Sequence, residues 1–216
     1  MTVEIAIAGN RDELSTDQFH SLSASLMIGL QQDFTRFRKW EDRQAALLGK
    51  LLLQQLLVNE WGNDGEVWQL TYDRYRRPYI ANVGDFNISH TRGLVVCAFA
   101  KEGRVGVDVE KEQAIDLPAF RRVFTPVEYA TIKHSNDLKS AFFHFWTKKE
   151  AIMKADGRGF FLDPSTIDAI PDEVSIDENK WYTEKLSLLE GCAGHLATSA
   201  PLSGIEYTFI SPASFV

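Results

Sequence analysis

Residues 94–110 read Leu-Val-Val-Cys-Ala-Phe-Ala-Lys-Glu-Gly-Arg-Val-Gly-Val-Asp-Val-Glu. Two β-like runs, 94–100 and 105–109, flank the polar tetrapeptide Lys101-Glu102-Gly103-Arg104, a composition that suits a hairpin. Upstream lie a strand-like alternation over 2–8, a helix capped by Ser15, Thr16 or Asp17 that runs towards Asp33, and a stronger helix over 41–61. β-like runs at 67–72 and 86–89 complete that side. Downstream, Thr125-Pro126-Val127-Glu128 has the N-cap, first-turn proline and N3 glutamate of a helix start, and a longer helix over 137–156 stops at Gly157. Strand-like runs at 181–189, 195–199 and 207–210 follow. The order strand, helices, strands, then helices, strands predicts an α+β protein of two halves, 1–103 and 104–216, meeting near residues 101–104 and packed as one unit.

The 216 residues, 44% hydrophobic and 12% aromatic, exclude a disordered chain, a fibrous repeat and a disulfide-stapled miniprotein. Such a length buries roughly 70% of the surface its unfolded chain exposes, so no metal or disulfide is needed to hold a core. A net charge of −7 argues against a general nucleic-acid or anionic-membrane binder. Cys97 and Cys192 stand far apart without metal-ligand spacing, which reads as two reduced thiols in a cytoplasmic protein. The first ten residues lack the basic start and long apolar stretch of a signal peptide, and the most apolar helical segment, 51–58, is far shorter than the ~20 residues of a membrane span.

Three segments carry chemistry. In Gly106-Val107-Asp108-Val109-Glu110, strand alternation puts the valines on one face and the carboxylates on the other. Side chains two apart on a strand lie about 7 Å apart and can converge on one hard cation; the same pattern also reads as a half-buried strand with an acidic solvent face. In the helix with Phe142, Phe145, Trp146, Ile152 and Met153 along one arc, Lys149 lies inside the arc, Glu150 at its edge, and Lys148 points away. An ammonium there meets an anion or snorkels to the rim, and Lys154 either joins the chemistry or pairs with Glu150 across one turn. Phe86-Asn87-Ile88-Ser89-His90 ends a strand in small polar groups beside Arg74, Arg76 and Arg77, a set able to bind phosphate.

Taken in order, Arg77-Pro78, Phe86-Asn87-Ile88-Ser89-His90, Gly106-Val107-Asp108-Val109-Glu110 and Trp146-Thr147-Lys148-Lys149-Glu150-Ala151-Ile152-Met153-Lys154 resemble the motifs of the 4′-phosphopantetheinyl transferases, in particular the long, monomeric, surfactin-synthetase-activating branch. The resemblance spans roughly residues 36–160. It implies a pseudo-dimer of two similar α+β halves in one chain. The activity implied is transfer of phosphopantetheine from coenzyme A to a serine of an apo acyl or peptidyl carrier protein, releasing adenosine 3′,5′-bisphosphate. On the same footing Asp108, Glu110 and Glu150 hold Mg²⁺, with Mn²⁺ as the alternative. Lys154 and Lys149 neutralise the pyrophosphate, Glu150 or a metal-bound water takes the serine proton, Ser89 and His90 bind CoA phosphate, and Arg77 lies near the adenine or 3′-phosphate.

The family's threonine before Leu-Leu-Gly is Ala46 here, which leaves the 3′-phosphate to the upstream basic residues Arg36, Arg38, Lys39 and Arg43, with Arg38 and Arg43 taken as cofactor-binding. Gly157-Arg158-Gly159 fits both the family's turn and an ordinary helix C-cap. Two other classes stay open on the residues alone. One is another metal-dependent phosphotransferase or hydrolase, which finds no GxxxxGK[ST], GxGxxG or HExxH motif. The other is a module that binds CoA or a carrier without chemistry. Residues 36–50, 74–92 and 148–158 hold thirteen basic and five acidic side chains, so the acidic total conceals a basic region.

Overall fold

A computed structural model describes residues 1–62 and 68–215. Strand β1 (Thr2–Asn10) leads into helix α1 (Thr16–Ser25) and then the long α2 (Trp40–Trp61). The strands β2 (Leu70–Tyr72), β3 (Pro78–Ile80), β4 (Asp85–Thr91), β5 (Gly93–Ala100) and β6 (Val105–Lys111) follow. Helices α3 (Pro126–Lys133) and α4 (Leu138–Asp156) precede β7 (Glu173–Ile176), β8 (Asn179–Lys185), β9 (Cys192–Thr198) and β10 (Gly204–Ile210).

Two four-stranded sheets, ordered β10-β1-β5-β4 and β6-β9-β8-β7, form the α+β pair of halves. Alternation decides which side chains meet. Val3, Ile5 and Ile7 of β1 and Leu94, Val96 and Ala98 of β5 face the second sheet, where they pack on Val105, Val107, Val109 and Leu196. The opposite residues, Ala6, Ala8, Val95, Cys97 and Phe99, pack under the α2 leucines. Helix α4 covers the far face of the second sheet through Ala151, Ile152, Met153 and Ala155 against Val174, Trp181 and Ala197. The result is helix, sheet, sheet, helix, with buried apolar layers between.

Several expectations hold. Ser15 and Thr125 cap their helices with reciprocal capping boxes, and α4 ends at Gly157 in the left-handed region at φ 92°. Helix α1, however, stops at Ser25, not near Asp33. The hydroxyls of Ser23 and Ser25 donate back to the Phe19 and Leu22 carbonyls, and Leu26 turns extended. Residues 101–104 do not close a hairpin: β5 pairs with β1 and β4, β6 pairs with β9, and the turn stacks one sheet on the other. The strand expected at 67–72 is found over Leu70–Tyr72, and Val67 lies outside the described residues. The last strand also departs from a division at residue 103, because β10 returns to pair in parallel with β1 of the first sheet.

The closest approach in the second half is at Gly106. A Cβ there stands 2.2 Å from the Ala151 carbonyl oxygen and 2.3 Å from the Ala155 nitrogen, both backbone atoms of α4. Helix and strand meet backbone to backbone at this point, which brings α4 down onto β6. Gly106→Ala is expected to destabilise the fold by about 2–3 kcal/mol, the upper part of the overpacking range; urea denaturation at pH 7.5 measures it.

Both β4 and β6 are edge strands, and they abut. The outward N–H groups of β6 are received by alternate side chains of β4. Val105 N–H donates to Asp85 Oδ2 (2.8 Å), Val107 to Asn87 Oδ1 (2.9 Å), Val109 to Ser89 Oγ (3.3 Å) and Lys111 to Thr91 Oγ1 (2.8 Å). Four side chains thus do what a neighbouring strand's carbonyls do, and the exposed edge is capped where the halves join.

Candidate active site

Val107 and Val109 are fully buried against the first sheet, so Asp108 and Glu110 face the opposite way, beneath α4. Helix periodicity then brings Glu150 and Lys154, one turn apart, over the strand. The Lys154 ammonium donates to Asp108 Oδ1 (2.6 Å), Ser89 Oγ (3.0 Å) and the Val107 carbonyl (3.2 Å). Ser89 donates in turn to Asp108 Oδ1 (3.1 Å), and Thr91 Oγ1 donates to Glu110 Oε2 (3.3 Å). Strand, helix and the end of β4 therefore converge on one cluster of three carboxylates and one lysine.

The electrostatics are unbalanced. Burial, then the charge of Asp108 and, more weakly, of Glu110, pushes Glu150 up to about 7, with Lys154 opposing. Glu110 is raised too, by burial first and Asp108 next, while Thr91, Lys154 and the Trp146 side chain pull the other way. Asp108 Oδ2 is buried with no hydrogen-bond partner. An orphaned carboxylate oxygen beside two further carboxylates is the donor chemistry of a hard divalent cation. The three do not stand as a closed ligand shell: among the described residues no group of three His, Cys, Asp or Glu side chains is arranged to hold a metal ion. Lys154 takes Asp108 Oδ1 and Thr91 takes Glu110 Oε2, which leaves one oxygen of Asp108, Oδ2, without a hydrogen-bond partner.

The remaining sequence-predicted residues divide. Ser89 is buried inside the network. His90 is exposed at the same strand end, near enough to feel the charges of Asp42, Lys154 and Asp108. Arg38 is exposed on the approach to α2, and Arg43 lies half-buried across the Phe19 ring and 3.4 Å from Glu13.

Lys149 does not join the cluster. Its ammonium, 1% exposed, is saturated by Glu128 Oε2 (2.7 Å) and the carbonyls of Pro164 (2.7 Å) and Ile167 (2.6 Å), so no donor is left for a pyrophosphate. Arg77 is likewise engaged. It grips Asp85 through two 2.7 Å bonds and donates to the carbonyls of Lys154 and Val105, clamping the two halves. Lys148, expected to point away, is buried with its ammonium 2.7 Å from Asp172. The basic surplus read from sequence is therefore partly internal. Trp146 and Thr91, absent from the sequence-predicted set, both act on Glu110. Strand alternation from Ser89 is the signal that finds Thr91.

A cleft of about 630 Å³ opens beside the cluster, lined by Arg11, Trp40, Thr91, Arg92, Lys111 and Leu189 among others. Thr91 belongs both to this wall and, through its bond to Glu110, to the carboxylate network, so the cleft adjoins the cluster at that residue.

A strand bearing two carboxylates, under a helix bearing a glutamate and a lysine, brings together the acidic and basic groups that phosphoryl-type transfer uses. The profile of the 4′-phosphopantetheinyl transferase superfamily matches residues 104–195, and that of the 4′-phosphopantetheinyl transferase N-terminal region matches 13–102. The 4′-phosphopantetheinyl transferase gsp of Aneurinibacillus migulanus is 31% identical over 162 residues, 74% of this chain and 68% of that protein. The 4′-phosphopantetheinyl transferase Sfp of Bacillus subtilis (strain 168) is 32% identical over 131 residues, 59% of this chain and 58% of that protein. A more distant relative is the L-aminoadipate-semialdehyde dehydrogenase-phosphopantetheinyl transferase of Schizosaccharomyces pombe, 29% identical over 157 residues, covering 63% of this chain and 61% of that one. The chain belongs to the 4′-phosphopantetheinyl transferase superfamily. Its likeness to gsp and Sfp sets it on their branch.

Proposed function

We propose that this protein transfers the 4′-phosphopantetheine group from coenzyme A to a serine hydroxyl of an apo carrier protein, leaving adenosine 3′,5′-bisphosphate. The observation that carries this reading is the convergence of Asp108, Glu110 and Glu150 with Lys154 between β6 and α4. The family relationship agrees with it. Asp108, Glu110 and Glu150 are the residues to hold Mg²⁺ or Mn²⁺, on the strength of the unpartnered Asp108 Oδ2 and the mutual repulsion of the three charges. Bound there, the cation supplies charge neutralisation at the CoA pyrophosphate.

The chain's own groups do the rest. Lys154, 27% exposed, is close enough to the surface to exchange its Asp108 contact for a phosphate oxygen. Arg11, Arg92 and Lys111 on the cleft wall, where Glu41, Glu112 and Glu190 balance them, are the cations within reach of a phosphorylated substrate, and His90 stands one residue before Thr91 of that wall. Glu150, or a cation-bound water held by it, is the group to accept the serine proton; a bound cation would favour the ionised carboxylate, so the raised value of about 7 describes Glu150 without the cation. Both halves come from one chain, so a monomer completes the site. Among the described residues no helix is long and apolar enough to cross a membrane.

The test is incubation of the pure protein with CoA, Mg²⁺ and a panel of apo acyl and peptidyl carrier proteins. A mass gain of one phosphopantetheine on a carrier serine is expected. Failure on every carrier, with CoA left intact, overturns the assignment.

A further inference from the structure

Ser89 and Thr91 repeat one hydrogen-bonding relation two residues apart. Ser89 Oγ takes the N–H of Val109 and donates to Asp108, the residue before it; Thr91 Oγ1 takes the N–H of Lys111 and donates to Glu110, the residue before it. At Thr91 the backbone fixes the direction. Lys111 N–H fills one lone pair at 2.8 Å, which turns the hydroxyl proton away from β6's backbone, and its acceptor is Glu110 Oε2 at 3.3 Å. Asp85 and Asn87, further along the same row, cap β6 without touching a cluster carboxylate by hydrogen bond. The capping row of β4 thus changes from a purely structural edge at one end to a carboxylate holder at the other. We infer that Thr91 is a positioning residue for the transfer reaction: from the wall of the cleft its hydroxyl fixes the orientation of Glu110 and so presets the carboxylate cluster for its cation.

The inference rests on the reading of Glu110 as a cation ligand. An anchored carboxylate loses less side-chain freedom when a cation arrives, and partners of this kind typically contribute 10–100-fold in metal affinity. Thr91 is well placed to be tested, because Thr91→Val keeps the shape while removing both donor and acceptor. The Lys111 N–H it abandons lies in an exposed setting, where water replaces the lost acceptor.

The experiment titrates Mn²⁺ into the full-length protein with saturating CoA and no carrier, following protein-bound ion by water-proton relaxation. Thr91→Val is expected to weaken Mn²⁺ about 10–100-fold, and Thr91→Ser, which retains the hydroxyl, to return it to within about threefold, both with unchanged melting temperature. In the transfer assay at saturating CoA the valine variant should need a correspondingly higher Mg²⁺ concentration for half-maximal rate, and the serine variant should not. Equal Mn²⁺ affinity in wild type and Thr91→Val overturns the inference, as does a serine variant no better than valine. If the wild type transfers phosphopantetheine yet only the inference fails, the function stands; if the wild type neither binds Mn²⁺ nor modifies a carrier, both fall.

Discussion

Glu150→Gln should lower carrier modification by about 10²–10⁴-fold, the range lost with a general base, and at the same time make the protein harder to unfold at pH 8. The two effects share a cause. Burial and the charges of Asp108 and Glu110 raise the Glu150 carboxyl to about 7, so the folded protein holds that proton more tightly than the unfolded chain does. For an acid raised in this way the sign is fixed: its contribution to stability is most favourable at low pH and is lost as pH rises through the unfolded value towards 7. Gln carries no charge to strain, so after discounting for partial exposure the variant should gain about 1–2 kcal/mol at pH 8. Urea denaturation of the two proteins side by side measures it. A purely structural glutamate loses stability on replacement; a functional one held against its own repulsion gains it.

The pH profile follows from the same carboxylate. Cation binding requires the ionised form, so at subsaturating Mg²⁺ the wild-type rate should fall about tenfold per pH unit below about 7. Saturating Mg²⁺ should move the midpoint to lower pH, because cation and proton compete for the same oxygens. A midpoint indifferent to Mg²⁺ excludes Glu150 from the ligand set.

The second large effect lies away from the chemistry. Glu128 is fully buried and joins three elements: Oε2 accepts the Thr125 N–H (2.8 Å) and faces the Lys149 ammonium at 2.7 Å, and Oε1 accepts the Ala169 N–H (2.7 Å). Removing either charge strands the other in a dry interior, a loss of about 3–5 kcal/mol. Glu128→Leu and Lys149→Met should each show it in chemical denaturation. The double variant should recover only part of the loss, because it leaves no orphan charge but strands the Thr125 and Ala169 N–H groups and the Pro164 and Ile167 carbonyls. The same variants decide Lys149's role. As an anchor that sets α4 on α3, Lys149→Met with Glu128→Leu should leave KM for CoA unchanged; as a pyrophosphate ligand it must raise it.

The contrast between Lys149 and Lys154 shows where sequence reading stops. Both are lysines on one helix beside a predicted carboxylate, and helical periodicity puts Lys149 inside the apolar arc and Lys154 one turn beyond Glu150 at its edge. Only the tertiary neighbours separate them. Lys154 comes down on the open edge of β6, where Asp108 and Ser89 wait, whereas Lys149 turns into the space between α3 and the 164–167 segment, where two carbonyls and Glu128 consume its donors. Arg77 repeats the point: an arginine beside the Ser89-His90 motif reads as a phosphate ligand, yet Asp85 holds it in a forked pair.

The sequence by itself determined the strand alternation that sends Asp108 and Glu110 one way and the valines the other, the capped start of α3, the stop of α4 at Gly157, and the α+β order of the elements. Those are local properties, set by side-chain period and backbone preference within a few residues. Tertiary structure decided that residues 101–104 stack two sheets where a hairpin was expected, that β10 returns to the first sheet, and that Arg77, Lys148 and Lys149 of the apparent basic patch are buried in ion pairs. Long-range pairing and desolvation set those outcomes. Whether a charged side chain serves the core or the substrate depends on which acceptors, distant in sequence, reach it first.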